Sequence, residues 1–248
     1  MPNSSKLLTY ISFVTVITAV FWLTTTFSYN ASAATFLDTT FSDTIIKENE
    51  PADTQWIQIG FVGDIMAHLT QLNAQKQANG SYDFSNNYKW MAPLFATNDV
   101  MIGNLETTFA GASQGYSAYP KFNTPDALAE ALKGANFDVL ATANNHMYDT
   151  GTKGLDRTLE VLTKNDLKYT GSRLTATQPR YAISKVGNTK VGVLAYTYES
   201  GRTEHGVITI NGIHVKHADT NRLNTFDPWN LGPSVQEMRE ELEKMKQD

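Results

Sequence analysis

A pattern that occurs three times constrains the fold most strongly: an apolar, strand-like segment ends in polar residues that could bind a ligand or a metal. The three segments are 57–62, followed by Gly63-Asp64; 99–102, followed by Gly103-Asn104-Leu105-Glu106; and 137–141, followed closely by Ala143-Asn144-Asn145-His146-Met147-Tyr148-Asp149. In α/β folds, binding and catalytic residues collect on loops at strand ends. The pattern therefore predicts a layered α/β protein with a polar site at one edge of its sheet.

Helical and strand-like segments alternate along the rest of the chain, which indicates an α/β sandwich with a mixed sheet flanked by helices. Helices are predicted near 66–79 and 86–97. Another is predicted from Thr124-Pro125-Asp126, with Thr124 as its N-cap and Pro125 at its first position, to Gly134. A fourth follows Asp149 or Thr150, where Leu155, Leu159 and Leu162 share one face. Hairpins are predicted at 181–196 and around Asn211-Gly212, and a final amphipathic helix carries Val235, Met238, Leu242 and Met245.

The amino-terminal segment differs in character from this domain. No charge falls between Lys6 and Asp38, and the apolar core at 7–23 is about the minimum length for crossing a bilayer. A cleaved signal peptide is the alternative, because Ala31-Ser32-Ala33 resembles a cleavage site. We therefore expect a membrane anchor or signal segment at 1–34, a polar linker at 35–54 and a folded domain at 55–248. The lysine favours an inside amino terminus, which places the domain on the extracytoplasmic side of the cell membrane as a single-pass protein.

Composition excludes several classes of protein. The net charge of −5 argues against a non-specific nucleic-acid binder, which usually shows a basic face. The chain has no cysteine, so disulfides, thiolate zinc sites and a cysteine nucleophile are excluded. Any metal must therefore be held by oxygen ligands and imidazoles.

The candidate site residues each have an alternative interpretation. Asp64 and His68 fit a pocket at the first strand end, but they also fit a Gly-Asp turn and an exposed helix histidine. Asn104 and Glu106 would share one side of a strand as oxygen donors for a hard metal, or form a turn followed by a solvated glutamate. The combination of Asn145, His146 and Asp149 fits a metal ligand, a general acid and an orienting carboxylate, or else a turn with a satisfied histidine.

The ordered motifs resemble the CapA/PgsA family of bacterial capsule and poly-γ-glutamate synthesis proteins. They are GDIMAH at 63–68, GNLETTFAG at 103–111, YPKFNTPDALAEALKGANFDVLATANNHMYDTGTKGLDRTLEVL at 119–162 and YTGS at 169–172. That family looks like a branch of the calcineurin-like metallophosphoesterases. The resemblance implies a metallophosphoesterase-like sandwich, metal ligands at Asp64, Asn104, Glu106 and Asn145, a catalytic acid at His146, and support from His68 and Asp149.

The chain also departs from the pattern that the resemblance implies. Met66 stands where metallophosphoesterases usually have a ligand histidine, and the late histidines, His205, His214 and His217, lie in other contexts. Because the last helix also leads into no further strand, we expect the domain to be carboxy-terminally incomplete.

Two functions follow from the resemblance. The first is a membrane-anchored component of capsule or poly-γ-glutamate biosynthesis or export, working with other synthesis subunits on an anionic polymer. Lys153, Arg157 and Arg173 are candidate polymer contacts, although a solvated helix face is the preferred interpretation of them. The second is a metal-dependent, phosphoesterase-like hydrolase that uses Mn, Fe or Mg and acts on a surface polymer or its precursor.

Overall fold

The computed structural model describes residues 56–248, and its central element is a four-stranded parallel sheet with the order β1-β2-β3-β4. The strands are β1 (Ile59–Ile65), β2 (Val100–Leu105), β3 (Val139–Ala141) and β4 (Lys168–Thr170). Parallel strands joined by crossovers bring their carboxyl ends to one edge of the sheet. The three polar strand ends predicted from the sequence therefore meet at the same edge.

The crossovers between these strands contain the helices. They are α1 (Leu69–Gln75), α2 (Ser85–Tyr88) and α3 (Ala92–Phe95) between β1 and β2, α4 (Ala127–Gly134) between β2 and β3, and α5 (Gly151–Lys164) between β3 and β4. A single 3₁₀ turn, Ala112–Gln114, precedes α4 among the described residues.

The carboxy-terminal part forms short strands in separate small sheets, followed by a long helix. The elements are β5 (Tyr181–Val186), β6 (Thr189–Leu194), β7 (Thr197–Tyr198), β8 (Gly201–Arg202), β9 (Ile208–Ile210), β10 (Ile213–His214), α6 (His217–Thr220), β11 (Thr225–Phe226) and α7 (Leu231–Gln247). Strands β5 and β6 form an antiparallel hairpin, β8, β9 and β10 form an antiparallel sheet, and β7 pairs in parallel with β11. The α/β class is confirmed. The mixed sheet predicted from the sequence is not found among the described residues, where each sheet is either parallel or antiparallel throughout.

The parallel sheet lies between two apolar layers. On one side, Met101, Leu105 and Leu140 belong to a large cluster that includes the buried faces of α4 and α5. On the other side, Val100 and Ile102 pack with the β5–β6 hairpin. Alternate residues of β2 thus serve opposite layers, as the two-residue period of a strand requires.

Several elements differ from the sequence prediction. The helix expected at 66–79 spans only Leu69–Gln75, because the chain then turns back and Lys76 pairs with Tyr82 in an isolated antiparallel bridge. The helix expected at 86–97 is two short helices. The predicted cap Thr124 lies before the helix, which begins at Ala127, because the Thr124 hydroxyl instead contacts that of Thr107 at 2.7 Å.

Other local predictions are confirmed. Leu155, Leu159 and Leu162 are buried on one face of α5. The turn at Asn211-Gly212 has φ angles of 50° and 71°, as a type I′ hairpin requires. The final helix forms as expected.

The predicted segments 1–34 and 35–54 lie outside the described residues. Within residues 56–248, no helix combines the length and apolar character needed to cross a membrane.

Candidate active site at the strand ends

Backbone register brings the strand ends together. Asp64 of β1 lies opposite Asn104 of β2, which in turn lies opposite Ala141 of β3. A β-bulge in β1 between Phe61 and Asp64 shifts the register, and bulges re-aim the side chains that follow them. The result is direct contact between the Asp64 carboxylate and the Asn104 amide.

Asn104 connects two acidic side chains. Its Nδ2 donates to Asp64 Oδ1 at 2.8 Å and lies 3.5 Å from Glu106 Oε2. Glu106 follows Asn104 by two residues, and both side chains reach the same place, as the sequence predicted from strand periodicity. The amide nitrogen of Asn104 therefore contacts both carboxylates.

Asn144 fixes how the Asn104 amide is oriented. Its Nδ2 donates to Asn104 Oδ1 at 3.0 Å and to the Leu105 carbonyl at 2.8 Å. Its Oδ1 accepts the backbone N–H of His146 at 3.0 Å, so each end of the Asn144 amide has a defined partner. Asn104 consequently presents its nitrogen, rather than its oxygen, to the carboxylates.

Glu106 is the most perturbed acidic group of the site. Its residue is only 8 % exposed. Burial, followed by the hydrogen bond with Asp64 and the charge of that carboxylate, raises the pKa of Glu106 to about 7. Two neighbouring acidic groups, one of them largely dehydrated, favour the binding of a proton or a cation between them.

His146 lies between two carboxylates. Its Nδ1 is 2.8 Å from Asp149 Oδ2, and its Nε2 is 3.8 Å from Glu106 Oε1. Burial lowers the pKa of His146, but the hydrogen bond and charge of Asp149 and the charge of Glu106 outweigh it, so the net direction is upward. A histidine held in this way can carry and donate a proton, which is the role that the sequence analysis predicted for it.

Asp149 is an orienting carboxylate. Its Oδ2 is hydrogen-bonded to the His146 imidazole and also accepts a hydrogen bond from the backbone N–H of Phe122, at 2.6 Å. Its Oδ1 is buried and has no hydrogen-bond partner among the described residues. The position of Asp149 thus fits the predicted supporting role.

An aromatic ring separates the two histidines near the site. The Phe122 ring packs edge-on against His146, with centroids 4.7 Å apart, and against His68, at 5.2 Å. His68 is exposed, and its backbone N–H donates to Gln71 Oε1 at the start of α1. It therefore borders the site without joining the hydrogen-bond network.

Asn145 is close in sequence to this network but does not take part in it. Its side chain is half-buried and, within residues 56–248, makes no hydrogen bond, in contrast to the adjacent Asn144. Its amide is available to a ligand, so its predicted role as a metal ligand stays a prediction.

The residues fit a single hard divalent cation by their chemistry. The observation that supports this is geometric: one amide nitrogen, that of Asn104, lies 2.8 Å from Asp64 Oδ1 and 3.5 Å from Glu106 Oε2, so the two carboxylates would repel each other when both are ionised, and a cation would relieve that repulsion. The Asn145 amide oxygen could add a ligand. Within the described residues, however, no three acidic or histidine side chains form a ready metal-binding group. The site thus resembles an open, two-carboxylate position rather than a closed metal cage.

The late histidines do not complete the site. His205, His214 and His217 are all exposed, on or beside the short carboxy-terminal strands and α6. Met66, which occupies the expected ligand position, is half-buried beside Asp64.

The three predicted polymer contacts have different environments. Lys153 is exposed on α5. Arg157 forms a bidentate ion pair with Asp126, with both nitrogen–oxygen distances 2.7 Å. Arg173 is only 4 % exposed and donates to the side chain of Asn224. Lys153 is therefore the most accessible of the three.

Sequence reasoning missed two residues that shape the site. Asn144 was recognised only as part of a polar loop, although its position directly before the Asn145-His146 pair was a usable signal. Phe122, which is 1 % exposed and spans the two histidines, lies far from both in sequence. Nothing in the local pattern distinguishes it from an ordinary core phenylalanine.

The fold and the site together define an α/β protein with an acidic, histidine-containing site at the carboxyl edge of a parallel sheet. Residues 58–248 match the model of the family described as bacterial capsule synthesis protein PGA_cap. The chain belongs to this family, which confirms the resemblance seen in its motifs.

Two curated relatives are similar to this chain. The "PGA biosynthesis protein CapA" of Bacillus subtilis (strain 168) is 28% identical over 190 residues, which cover 74% of this chain and 45% of that protein. The "Capsule biosynthesis protein CapA" of Bacillus anthracis is 28% identical over 146 residues, which cover 56% of this chain and 33% of that protein. The chain thus spans less than half of the length of each of these relatives.

Proposed function

We propose that this protein is a component of capsule biosynthesis, and that it serves the assembly or export of an anionic surface polymer such as poly-γ-glutamate. Family membership and the two relatives named for capsule and PGA biosynthesis support this role. The apolar segment at 7–23 supports attachment to the cell membrane with the domain on the extracytoplasmic side, where other synthesis subunits would be its partners.

One structural observation supports the proposal that the strand-end site is the functional site for this role. Asp64, Asn104, Glu106, Asn144 and His146 come from three separate strand ends, and side-chain and backbone hydrogen bonds join them in one network. Placing two acidic side chains around one amide costs stability when both are ionised, and perturbed acids in such places are typical of functional sites.

A second candidate function is a metal-dependent hydrolase with a metallophosphoesterase-like sandwich. The convergence of the Glu106 and Asp64 carboxylates on the Asn104 amide favours it, because a divalent cation such as Mn²⁺, Fe²⁺ or Mg²⁺ could be held between two such groups. Such a cation would supply Lewis acidity to a bound ester. His146, oriented by Asp149, would donate a proton to the leaving oxygen.

The capsule role is tested by deleting the gene in its host and measuring acid-released glutamate from the washed cell surface. The proposal predicts that surface glutamate is lost on deletion and restored by the intact chain. Unchanged surface polymer after deletion would contradict it.

The hydrolase is tested on the purified full chain by Mn²⁺ titration calorimetry and by hydrolysis of bis-p-nitrophenyl phosphate. The expected result is binding and turnover in wild type and loss of both in Asp64→Asn. Loss of capsule on deletion, without Mn²⁺ binding or turnover by the purified chain, would exclude the hydrolase. It would support a non-catalytic component of capsule biosynthesis.

A further inference from the structure

An aromatic pocket opens directly beside Asp64. Its volume is about 670 Å³, and its lining includes Gly63 and Asp64 of β1 and residues of α1, α2, α3 and α4. Small-molecule sites usually measure about 300–1,000 Å³, so the pocket is of the size that holds a substrate group. It shares Asp64 with the strand-end site.

The wall of the pocket is mostly apolar. Phe84, Phe95, Leu128 and Phe137 line it and are each at most 8 % exposed. Phe137 meets Phe95 edge-on, with centroids 5.4 Å apart, which gives the wall a defined shape.

Tyr88 adds a second edge-on contact to Phe137, at 6.1 Å. Burial raises its pKa to about 12, so its hydroxyl stays neutral. Charged side chains are nearly absent from the lining, where Asp64 is the single ionisable acid and Gln71 and Asn87 are the polar residues of the exposed rim.

We propose that this pocket is a subsite for an aliphatic or aromatic group of the substrate, placed next to the bond on which the strand-end site acts. The inference deepens the proposed function, because it names the substrate class as one that carries an apolar group beside its reacting group. The volume of the pocket is sufficient for such a group.

The chain offers a clean way to probe the pocket. It contains no cysteine, so a single introduced thiol is unique. Gly63 lines the pocket, and a Cβ built there meets no atom within 4 Å, so Gly63→Cys fits without displacing a neighbour. Gly232 on α7 is equally open and lies outside the pocket lining, so Gly232→Cys is a matched control.

The experiment is disulfide exchange on the purified full chain, read by intact mass. Each variant is equilibrated with symmetrical disulfides that end in a phenylpropyl, an octyl or a hydroxyethyl group, over a range of β-mercaptoethanol concentrations. We expect Gly63→Cys to keep the phenylpropyl or octyl group at about tenfold higher reductant than the hydroxyethyl group, a difference of about 1.4 kcal/mol. The control is expected to show no preference.

A filling variant shows where the preference arises. Asn87 is an exposed lining residue, so Asn87→Trp added to Gly63→Cys should occupy the pocket and abolish the preference. Equal retention of all groups at Gly63→Cys, or the same apolar preference at Gly232→Cys, would overturn the inference. The readout requires neither turnover nor capsule, so a failure of the proposed function would leave it intact.

Discussion

The side chain of Asn144, after β3, donates to the side chain of Asn104, in β2, at 3.0 Å, so side chains as well as backbone join the two strand ends. Asn144 is 7 % exposed and also holds the Leu105 carbonyl. Asn144→Ala should therefore leave buried groups unpaired and lower the free energy of unfolding by about 1–3 kcal/mol in urea denaturation.

The matched control is the adjacent Asn145→Ala. The Asn145 side chain makes no hydrogen bond within residues 56–248, so this change should stay within about 0.5 kcal/mol of wild type. Equal destabilisation by both changes would contradict the assigned network.

Glu106→Gln should stabilise the metal-free protein at pH 8. The raised pKa of Glu106, about 7, means that the folded state resists ionisation of a group that ionises near 4.5 when unfolded. The cost is absent below pH 4.5 and grows as the pH rises toward 7. The melting temperature of the variant should therefore exceed that of wild type by about 2–6 °C at pH 8, with the difference fading at pH 4.5. A melting temperature below that of wild type at pH 8 would contradict this account of the site.

Asp149→Asn should lower the pKa of His146. The carboxylate of Asp149 raises this pKa through both its hydrogen bond and its charge. An asparagine at this position removes the charge and retains only part of the hydrogen bond. The measurement is an NMR titration of the His146 ring protons. Asp156→Asn is the control, because Asp156 pairs with Arg222 and does not contact His146. An unchanged His146 pKa in Asp149→Asn would refute the orienting role.

The protonation of Asp219 should lower the free energy of unfolding at acidic pH. Burial raises its pKa, but hydrogen bonds from Thr152 and Tyr148 and the charge of Arg222 outweigh it, so the pKa lies below 3.8. The stabilisation is present above that value and is lost as the pH falls through the folded-state pKa. Asp219→Asn should thus cost about 2–4 kcal/mol at pH 7 and progressively less below pH 3.8.

The control for Asp219 is Asp166→Asn. Asp166 also has a lowered pKa, through Lys133, but its side chain is 94% exposed. Exposed pairs contribute little, so this variant should follow wild type across the whole pH range. A similar loss in both variants would show that the buried network around Asp219 has no special role.

The sequence predicted the strand ends well because their signals are local. A continuous apolar run followed by a polar loop is visible in a short window. Local patterns therefore pointed to Asp64, Asn104, Glu106, His146 and Asp149, which the structure places close together. Helix boundaries were predicted less well. Thr124 looked like a cap, but a distant hydroxyl, that of Thr107, engages it instead, and such tertiary contacts override local propensity.

Long-range relations were beyond local patterns. The packing of Phe122 between His68 and His146 depends on how three separate segments meet. The orientation of the Asn104 amide depends on Asn144, which lies 40 residues away. The pocket beside Asp64 is built from residues of five elements, β1 and α1 to α4, that share no motif.

The most direct test of the central claim is surface glutamate in a deletion strain complemented with Glu106→Gln or with Glu130→Gln. Glu130 is an exposed glutamate on α4, so its change controls for loss of one carboxylate. Membrane immunoblots establish that both variants are present at the wild-type level. The account predicts that Glu130→Gln restores the polymer and that Glu106→Gln does not. Full restoration by Glu106→Gln would contradict the claim that the strand-end site performs the function.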